Sequence, residues 1–127
     1  MPFPQASPRL ATMPEPFRCE VFPERDRVRI VPLGELDIAT APLLESTIRE
    51  LLTSGFDHLV LDLTDLDFID STGLHLILSL QAAAADGGYR LRLKPGRPAV
   101  QRIFELTQTL DLVSFEAGGI TARRLVR

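Results

Sequence analysis

Segments with the periodicity of strands and segments with the periodicity of helices alternate along this chain, and that alternation constrains the fold most. Apolar residues alternate with charged ones at 17–21, and the segment 27–33 alternates again through Val28 and Ile30; with the turn at 23–26 between them, this is typical of a β-hairpin. Helical and strand-like segments then follow in turn, in the order ββαβαβαβ. This order predicts an α/β fold with a mixed, largely parallel sheet of about five strands that starts with a hairpin, packed with about three to four helices.

The predicted elements after the hairpin have recognisable limits. Gly34 is expected to end the second strand and to leave 35–37 as a short loop. A helix should begin near Pro42, since proline is common in the first helical turn, and should end at Gly55. The remaining predictions are a central strand at 58–63, a helix at 71–85, a strand at 89–94, a helix from Pro98, a last strand at 113–115 and a short terminal helix at 119–126.

The first sixteen positions differ in composition from the rest of the chain. Residues 1–16 carry prolines at positions 2, 4, 8, 14 and 16 and few large apolar side chains, so they have little surface to bury. We therefore predict a disordered Pro-rich leader over 1–16. The remaining 17–127 should form one domain, because a chain of 127 residues is long enough for a single core.

Charge and composition exclude several classes of function. A formal net charge of −3 argues against a nucleic-acid partner, which requires a basic surface. The chain has no apolar run near the roughly 18 residues of a membrane span and no signal-peptide pattern, so we predict a cytoplasmic protein without a membrane partner. The single cysteine, Cys19, lies within an alternating apolar pattern and is expected to pack in the core.

Ser71 lies where an apolar strand pattern ends and a helical pattern begins. It follows Asp70 and precedes Thr72 and Gly73. The free N–H groups and the positive dipole end of a helix N-terminus favour an added negative charge, so Ser71 is a candidate phosphate acceptor. The simpler interpretation is that Ser71 or Asp70 caps the helix, a role worth about 1 kcal/mol.

A cluster of carboxylates precedes this serine and raises the alternative of an enzyme. Asp62, Asp65, Asp67 and Asp70 could hold a metal or form a phosphoaspartyl site. Such a site needs a lysine and further acids, whereas the chain has one lysine, Lys94, and no supporting motif. We favour solvated loop charges for the cluster and predict no metal, no cofactor and no catalytic residues. His58 and His75 are isolated, and His75 is expected on the exposed side of the second helix.

Two motifs together give the chain a family resemblance. Gly34-Glu35-Leu36-Asp37 precedes the first helix, and Asp70-Ser71-Thr72-Gly73-Leu74 precedes the second, with Leu59-Val60-Leu61-Asp62-Leu63 between them. In this arrangement the chain resembles the bacterial anti-sigma-factor antagonists, small proteins built on the STAS domain. The likeness runs from about Phe17 to about Phe115.

The resemblance implies a regulatory role by partner switching. In that family the unphosphorylated protein binds an anti-sigma factor that is also a serine kinase, and so releases the sigma factor. The kinase phosphorylates the serine of the motif, here Ser71, and a PP2C-type serine phosphatase reverses the reaction. The resemblance also implies that Asp37 lies beside Ser71, and it suggests a partner-binding set of Asp37, Asp70, Ser71, Thr72, Gly73 and His75. Small residues are common in the family at the position of His75.

A second interpretation keeps the fold but not the switch. The chain would then be a STAS scaffold or accessory module of a stress-sensing or lipid-transport complex, in which Ser71 is not phosphorylated.

Overall fold

The computed structural model describes residues 16–116 of the chain. The leader predicted at 1–16, apart from Pro16, and the helix predicted at 119–126 lie outside the described residues. The strands are β1 (Arg18–Pro23), β2 (Val28–Leu36), β3 (His58–Asp62), β4 (Leu66–Ile69) and β5 (Arg90–Lys94). The helices are α1 (Ala41–Thr53), α2 (Ser71–Gly87) and α3 (Pro98–Leu106), followed by a 3₁₀ turn at Leu110–Leu112.

The strands form the mixed sheet that the sequence predicts. β1 pairs antiparallel with β2 from Arg18 opposite Leu33 to Pro23 opposite Val28, which confirms the hairpin. β2 and β3 pair in parallel, as do β3 and β5, so the order across the sheet is β1-β2-β3-β5. β4 pairs in parallel with the end of β2. The predicted α/β class, with a hairpin followed by a largely parallel sheet, is confirmed.

Gly34 does not end β2, contrary to the prediction. The strand continues through Glu35 and Leu36, with a register shift against β4 between Gly34 and Glu35. Gly34 has φ +103°, a conformation that a residue without a Cβ adopts at little cost. A Cβ at this position would also lie 3.1 Å from the Cα of Phe17. The glycine therefore allows the strand to bulge and to continue past β1.

The fifth strand is not the one that the sequence predicts. β4 has only four residues, and its central pair, Asp67 and Phe68, is exposed, so it shows no alternating pattern. The predicted last strand at 113–115 is reduced to a single parallel bridge between Phe115 and Leu93. A short segment with two exposed residues carries too little periodicity to be recognised from sequence.

One apolar cluster joins the sheet to the helices. It contains buried side chains from β2, β3 and β5, among them Ile30, Leu61 and Leu93, and from the helices, among them Leu44, Ile77 and Phe104. Phe104 also meets Phe115 edge to face, with ring centroids 5.4 Å apart. Cys19 packs against this cluster, as predicted, and burial raises the pKa of its thiol to about 11.

An ion-pair network ties β2 to β3 and to the β1–β2 turn. Arg29 contacts Glu24 at 3.1 Å and Asp62 at 3.2 Å, and its guanidinium lies 4.6 Å from the centroid of the Phe22 ring. Asp62 is buried and also accepts hydrogen bonds from the backbone N–H and the hydroxyl of Thr64. Burial by itself raises the pKa of Asp62, but the hydrogen bonds from Thr64, the charge of Lys94 and the hydrogen bond from Arg29 outweigh it, so the pKa is lowered.

We expect Asp62→Asn to lower the free energy of unfolding at pH 7 by about 1–3 kcal/mol, because Arg29 loses a buried charged partner. The pKa of Asp62 is lower in the folded than in the unfolded state. Its carboxylate therefore contributes fully to the free energy of unfolding above the unfolded-state pKa of about 4, and this contribution is lost as the pH falls through the folded-state pKa. Urea unfolding should therefore show wild type and variant converging in acid. Asp65→Asn, at an exposed position, is the matched control. A gap that persists unchanged in acid would contradict this assignment.

A second stability prediction concerns the end of α3. Gln108 has φ +58°, and the N–H of Thr109 donates to the carbonyl of Phe104 at 3.0 Å, as in a left-handed helix cap. Gln108→Gly should raise the free energy of unfolding by about 0.5–1 kcal/mol, because glycine adopts this conformation without a Cβ penalty. The control Glu105→Gly, within the helix, should lower it by about 1 kcal/mol. A loss of stability in Gln108→Gly would contradict this explanation.

Candidate functional site

The two motif acids lie at one edge of the sheet, because β2 and β4 end in register. Leu36, the last residue of β2, pairs with Ile69, the last residue of β4. Asp37 and Asp70 follow directly, and the N–H of Asp70 donates to the carbonyl of Leu36 at 3.1 Å. Neighbouring strands are about 4.8 Å apart. The start of α2 therefore lies beside the turn that leads into α1.

The carboxylate of Asp37 organises that turn. Its Oδ1 accepts hydrogen bonds from the N–H groups of Ala39 at 3.0 Å and Thr40 at 3.1 Å. The Thr40 hydroxyl donates to the carbonyl of Glu35 at 2.7 Å and accepts from the N–H of Asp37 at 2.9 Å. Asp37 is thus held in place by the entry into α1, with its carboxylate charge at the sheet edge.

Asp70, and not Ser71, is the N-cap of α2. Its Oδ1 accepts from the N–H of Gly73 at 2.9 Å, and Ser71 is the first residue of the helix. Ser71 is exposed, and its hydroxyl makes no hydrogen bond to any residue within 16–116. The cap function that the sequence leaves open between the two residues therefore belongs to the aspartate.

The other residues of the predicted partner-binding set take different positions. His75 is exposed one turn after Ser71, on the same side of α2, and Thr72 is half-buried. Gly73 is buried, and a Cβ there would lie 2.8 Å from both the Cγ and the carbonyl oxygen of Leu36. Gly73 therefore has a packing role: it lets the start of α2 lie close to the end of β2.

Two apolar side chains at this edge were not predicted as part of the site. Ile38, directly after Asp37, is 74% exposed, and Phe68, in β4, is 48% exposed. We call this pair the apolar shoulder. Hydrophobicity alone places such residues in a core, whereas the structure leaves both side chains exposed and pairs Phe68 with Glu35, two residues before Asp37. The sequence did offer one indication that these two residues belong to the site: each lies within three residues of Asp37 or Asp70.

The acidic cluster does not form one site. Asp62, predicted as a solvated loop charge, is instead buried at the end of β3 and paired with Arg29, because β3 continues to this residue. Asp67 pairs with Arg97, and Asp65 is exposed. Within residues 16–116 no three histidine, cysteine or acidic side chains are grouped so as to hold a metal ion.

Gly73→Ala should destabilise the protein by about 1–3 kcal/mol, because the added methyl meets the backbone carbonyl of Leu36, which cannot move without disturbing β2. Gly87→Ala is a matched control in the same helix: its Cβ would have no neighbour closer than 3.9 Å, and it should stabilise by up to about 1 kcal/mol. Thermal and urea unfolding of both variants measure the difference. Equal effects would contradict the packing role of Gly73.

Known proteins share this arrangement of elements. The anti-sigma-B factor antagonist of Staphylococcus aureus is 29% identical over 85 residues, which cover 67% of this chain and 79% of the relative. The crystal structure of an anti-sigma factor antagonist from Mycobacterium paratuberculosis superposes with a TM-score of 0.66 at 25% identity, over 79% of this chain and 85% of that one.

The Bacillus cell fate determinant SpoIIAA has also been solved, in its phosphorylated form. It matches with a TM-score of 0.58 at 22% identity, over 80% of this chain and 91% of that one, which shows a shared fold. The family model for the STAS domain matches residues 21–119. The motifs, the fold and this match agree, and the chain belongs to the STAS domain family.

Proposed function

We propose that this protein is an anti-sigma-factor antagonist that acts by partner switching. In its unphosphorylated form it binds an anti-sigma factor, which is also a serine kinase, and so releases the sigma factor. Phosphorylation of Ser71 ends that binding, and a PP2C-type serine phosphatase restores it. The protein is the substrate of both enzymes rather than an enzyme itself, and we place the exchange in the cytoplasm, where transcription is controlled.

The observation that carries the proposal is the state of Ser71. Ser71 is exposed and its hydroxyl has no hydrogen-bond partner among residues 16–116, while Asp70 already caps the helix. A kinase could therefore reach the oxygen without first breaking a capping bond. The N-terminal N–H groups of α2 would stabilise the phosphate in the free protein.

The neighbouring charges explain how one phosphate could control binding. A phosphoserine carries about −1.5 to −2 charges at pH 7. It would join Asp70 and Asp37 at the same sheet edge, where each like-charge pair at about 5 Å costs about 1–3 kcal/mol for an effective dielectric constant between 20 and 80. A hundredfold loss of affinity requires about 2.7 kcal/mol. In the free protein, water screens this repulsion. A partner that covers the edge removes that screening, so the repulsion grows on binding, and the phosphate must lose its water as well.

The surroundings of Ser71 also suit a protein partner. The apolar shoulder of Ile38 and Phe68 offers exposed apolar area in the segments that lead to Asp37 and Asp70, and His75 is an exposed polar residue on α2. Interfaces commonly combine an apolar centre with a polar rim. We propose that the partner covers the shoulder and Ser71 together, so that the hydroxyl becomes desolvated on binding.

Ser71→Asp should weaken binding to the cognate anti-sigma factor by about a hundredfold, whereas Ser71→Ala should bind like wild type and accept no phosphate. Ser79→Asp, at an exposed position of the same helix, is the matched charge control and should change affinity less than about threefold. Calorimetry gives the affinities, and intact-mass spectrometry after incubation with ATP counts the phosphates.

Two results would together reject the switch. They are the absence of any phosphate on the wild-type protein and wild-type affinity in Ser71→Asp. In that case the STAS domain would serve as a scaffold or accessory module, in a stress-sensing or lipid-transport complex.

A further inference from the structure

Two main-chain groups at the outer edge of β5 have no hydrogen-bond partner within residues 16–116. The N–H of Arg90 donates to the carbonyl of Asp57 at 2.8 Å, and His58 of β3 pairs in parallel with Arg90. Because main-chain groups alternate between the two edges of a strand, the carbonyl of Tyr89 and the N–H of Leu91 point away from β3. Neither group forms a hydrogen bond in the described part of the chain.

The side chain of Gln81 keeps the segment after α3 away from this part of β5. At Leu93 the two segments pair directly: its N–H donates to the carbonyl of Ser114 at 2.8 Å, and its carbonyl accepts from the N–H of Glu116 at 2.7 Å. Two residues earlier, the amide of Gln81 lies between them. It donates to the carbonyl of Leu91 at 3.1 Å and accepts from the N–H of Ser114 at 2.9 Å. The edge of β5 therefore borders a groove at this point.

The groove is apolar on the side of the helices and has a cation on the other face of the sheet. Leu91 belongs to the core, so the alternation of side chains places the exposed Arg90 on the opposite face. Arg90 contacts the Nδ1 of His58 at 3.3 Å and forms no ion pair within residues 16–116. The groove has a volume of about 730 Å³, and its apolar lining includes Leu78, Ala82, Ala85 and Leu112.

A parallel strand would use both of the main-chain groups that lack a partner. In a parallel pair, one residue donates its N–H to a carbonyl of the neighbouring strand and accepts, at its own carbonyl, from the N–H two residues further along that strand. A residue opposite Arg90 would thus bond to Tyr89 and Leu91 and leave the Gln81 amide in place. Its side chain would lie on the same face as Arg90, and its two neighbours would point towards the groove.

An antiparallel strand fits less well. It would exchange hydrogen bonds with both main-chain groups of Leu91, and the carbonyl of that residue already accepts from Gln81.

We propose that the outer edge of β5 binds an extended segment of a partner protein that runs parallel to β5. The segment carries an acidic residue opposite Arg90, for charge complementarity, and an apolar residue on each side of it, for the groove. Ala82 in the groove follows Ser71 by about 16 Å along the axis of α2. The site is therefore distinct from the Ser71 edge and does not depend on the proposed function.

Titration of the full-length protein with a short peptide, followed by its amide resonances, tests the main-chain pairing. The probe is the N-acetylated, C-amidated pentapeptide Ser-Val-Glu-Val-Ser, added up to about 10 mM. We expect a saturable shift of the Leu91 amide. N-methylation of the glutamate nitrogen removes the donor for the Tyr89 carbonyl and should weaken binding at least about tenfold. N-methylation of the next valine, whose N–H points away from β5, is the matched control and should change the affinity less than about threefold. No saturable shift of Leu91, or equal losses with both methylated peptides, would overturn the proposal.

A charge exchange tests the position of the acidic residue. Arg90→Glu should weaken binding of this peptide at least about threefold and should strengthen binding of Ser-Val-Lys-Val-Ser by a similar factor. Arg49→Glu, at an exposed position of α1, is the control and should leave both affinities within about twofold. If the exchange does not occur, the register is wrong and the proposal fails.

A second copy of this chain is the other possible occupant of the edge. A shift of the Leu91 amide that depends on protein concentration in the absence of peptide would identify it and reject the proposal. None of these measurements uses the anti-sigma factor, so failure here is distinct from failure of the partner switch.

Discussion

The pairing of Leu36 with Ile69 is the constraint on which the site depends. It ends β2 and β4 at the same level, and the hydrogen bond from the N–H of Asp70 to the carbonyl of Leu36 extends that pairing into the loops. The turn into α1 and the first turn of α2 are thereby brought side by side. Gly73 completes the arrangement, since only a residue without a Cβ lets the helix approach Leu36 so closely.

The polar side chains that follow β2 and β4 have different roles. The carboxylates of Asp37 and Asp70 are engaged by backbone N–H groups, so they fix the two loops and hold negative charge at known positions. Ser71 follows Asp70 directly, and its hydroxyl makes no hydrogen bond in the described part of the chain. Fixed charges around one modifiable oxygen suit a protein whose binding changes when a phosphate is added, as we propose.

Much of the fold could be predicted, because its main elements carry regular patterns. The hairpin, the central strand and the helices from Pro42, Ser71 and Pro98 have clear apolar periods or end signals. β4 could not be found, since half of its four residues are exposed and its existence depends on pairing with β2. The exposed pair Ile38 and Phe68 was missed for the same reason, because the position of Phe68 depends on the pairing of β4 with β2. The prediction that Asp62 is a solvated loop charge was wrong, because its burial and its ion pair with Arg29 depend on a contact between residues distant in sequence.

The central claim is that one phosphate on Ser71 controls partner binding. The most direct test compares the protein carrying phosphoserine at position 71 with the unmodified protein, by titration calorimetry against the cognate anti-sigma factor. We expect the phosphorylated form to bind at least about a hundredfold more weakly, a loss of about 2.7 kcal/mol in binding free energy, because a partner would displace the water that screens the phosphate from the neighbouring carboxylates. Equal affinities of the two forms would contradict the account.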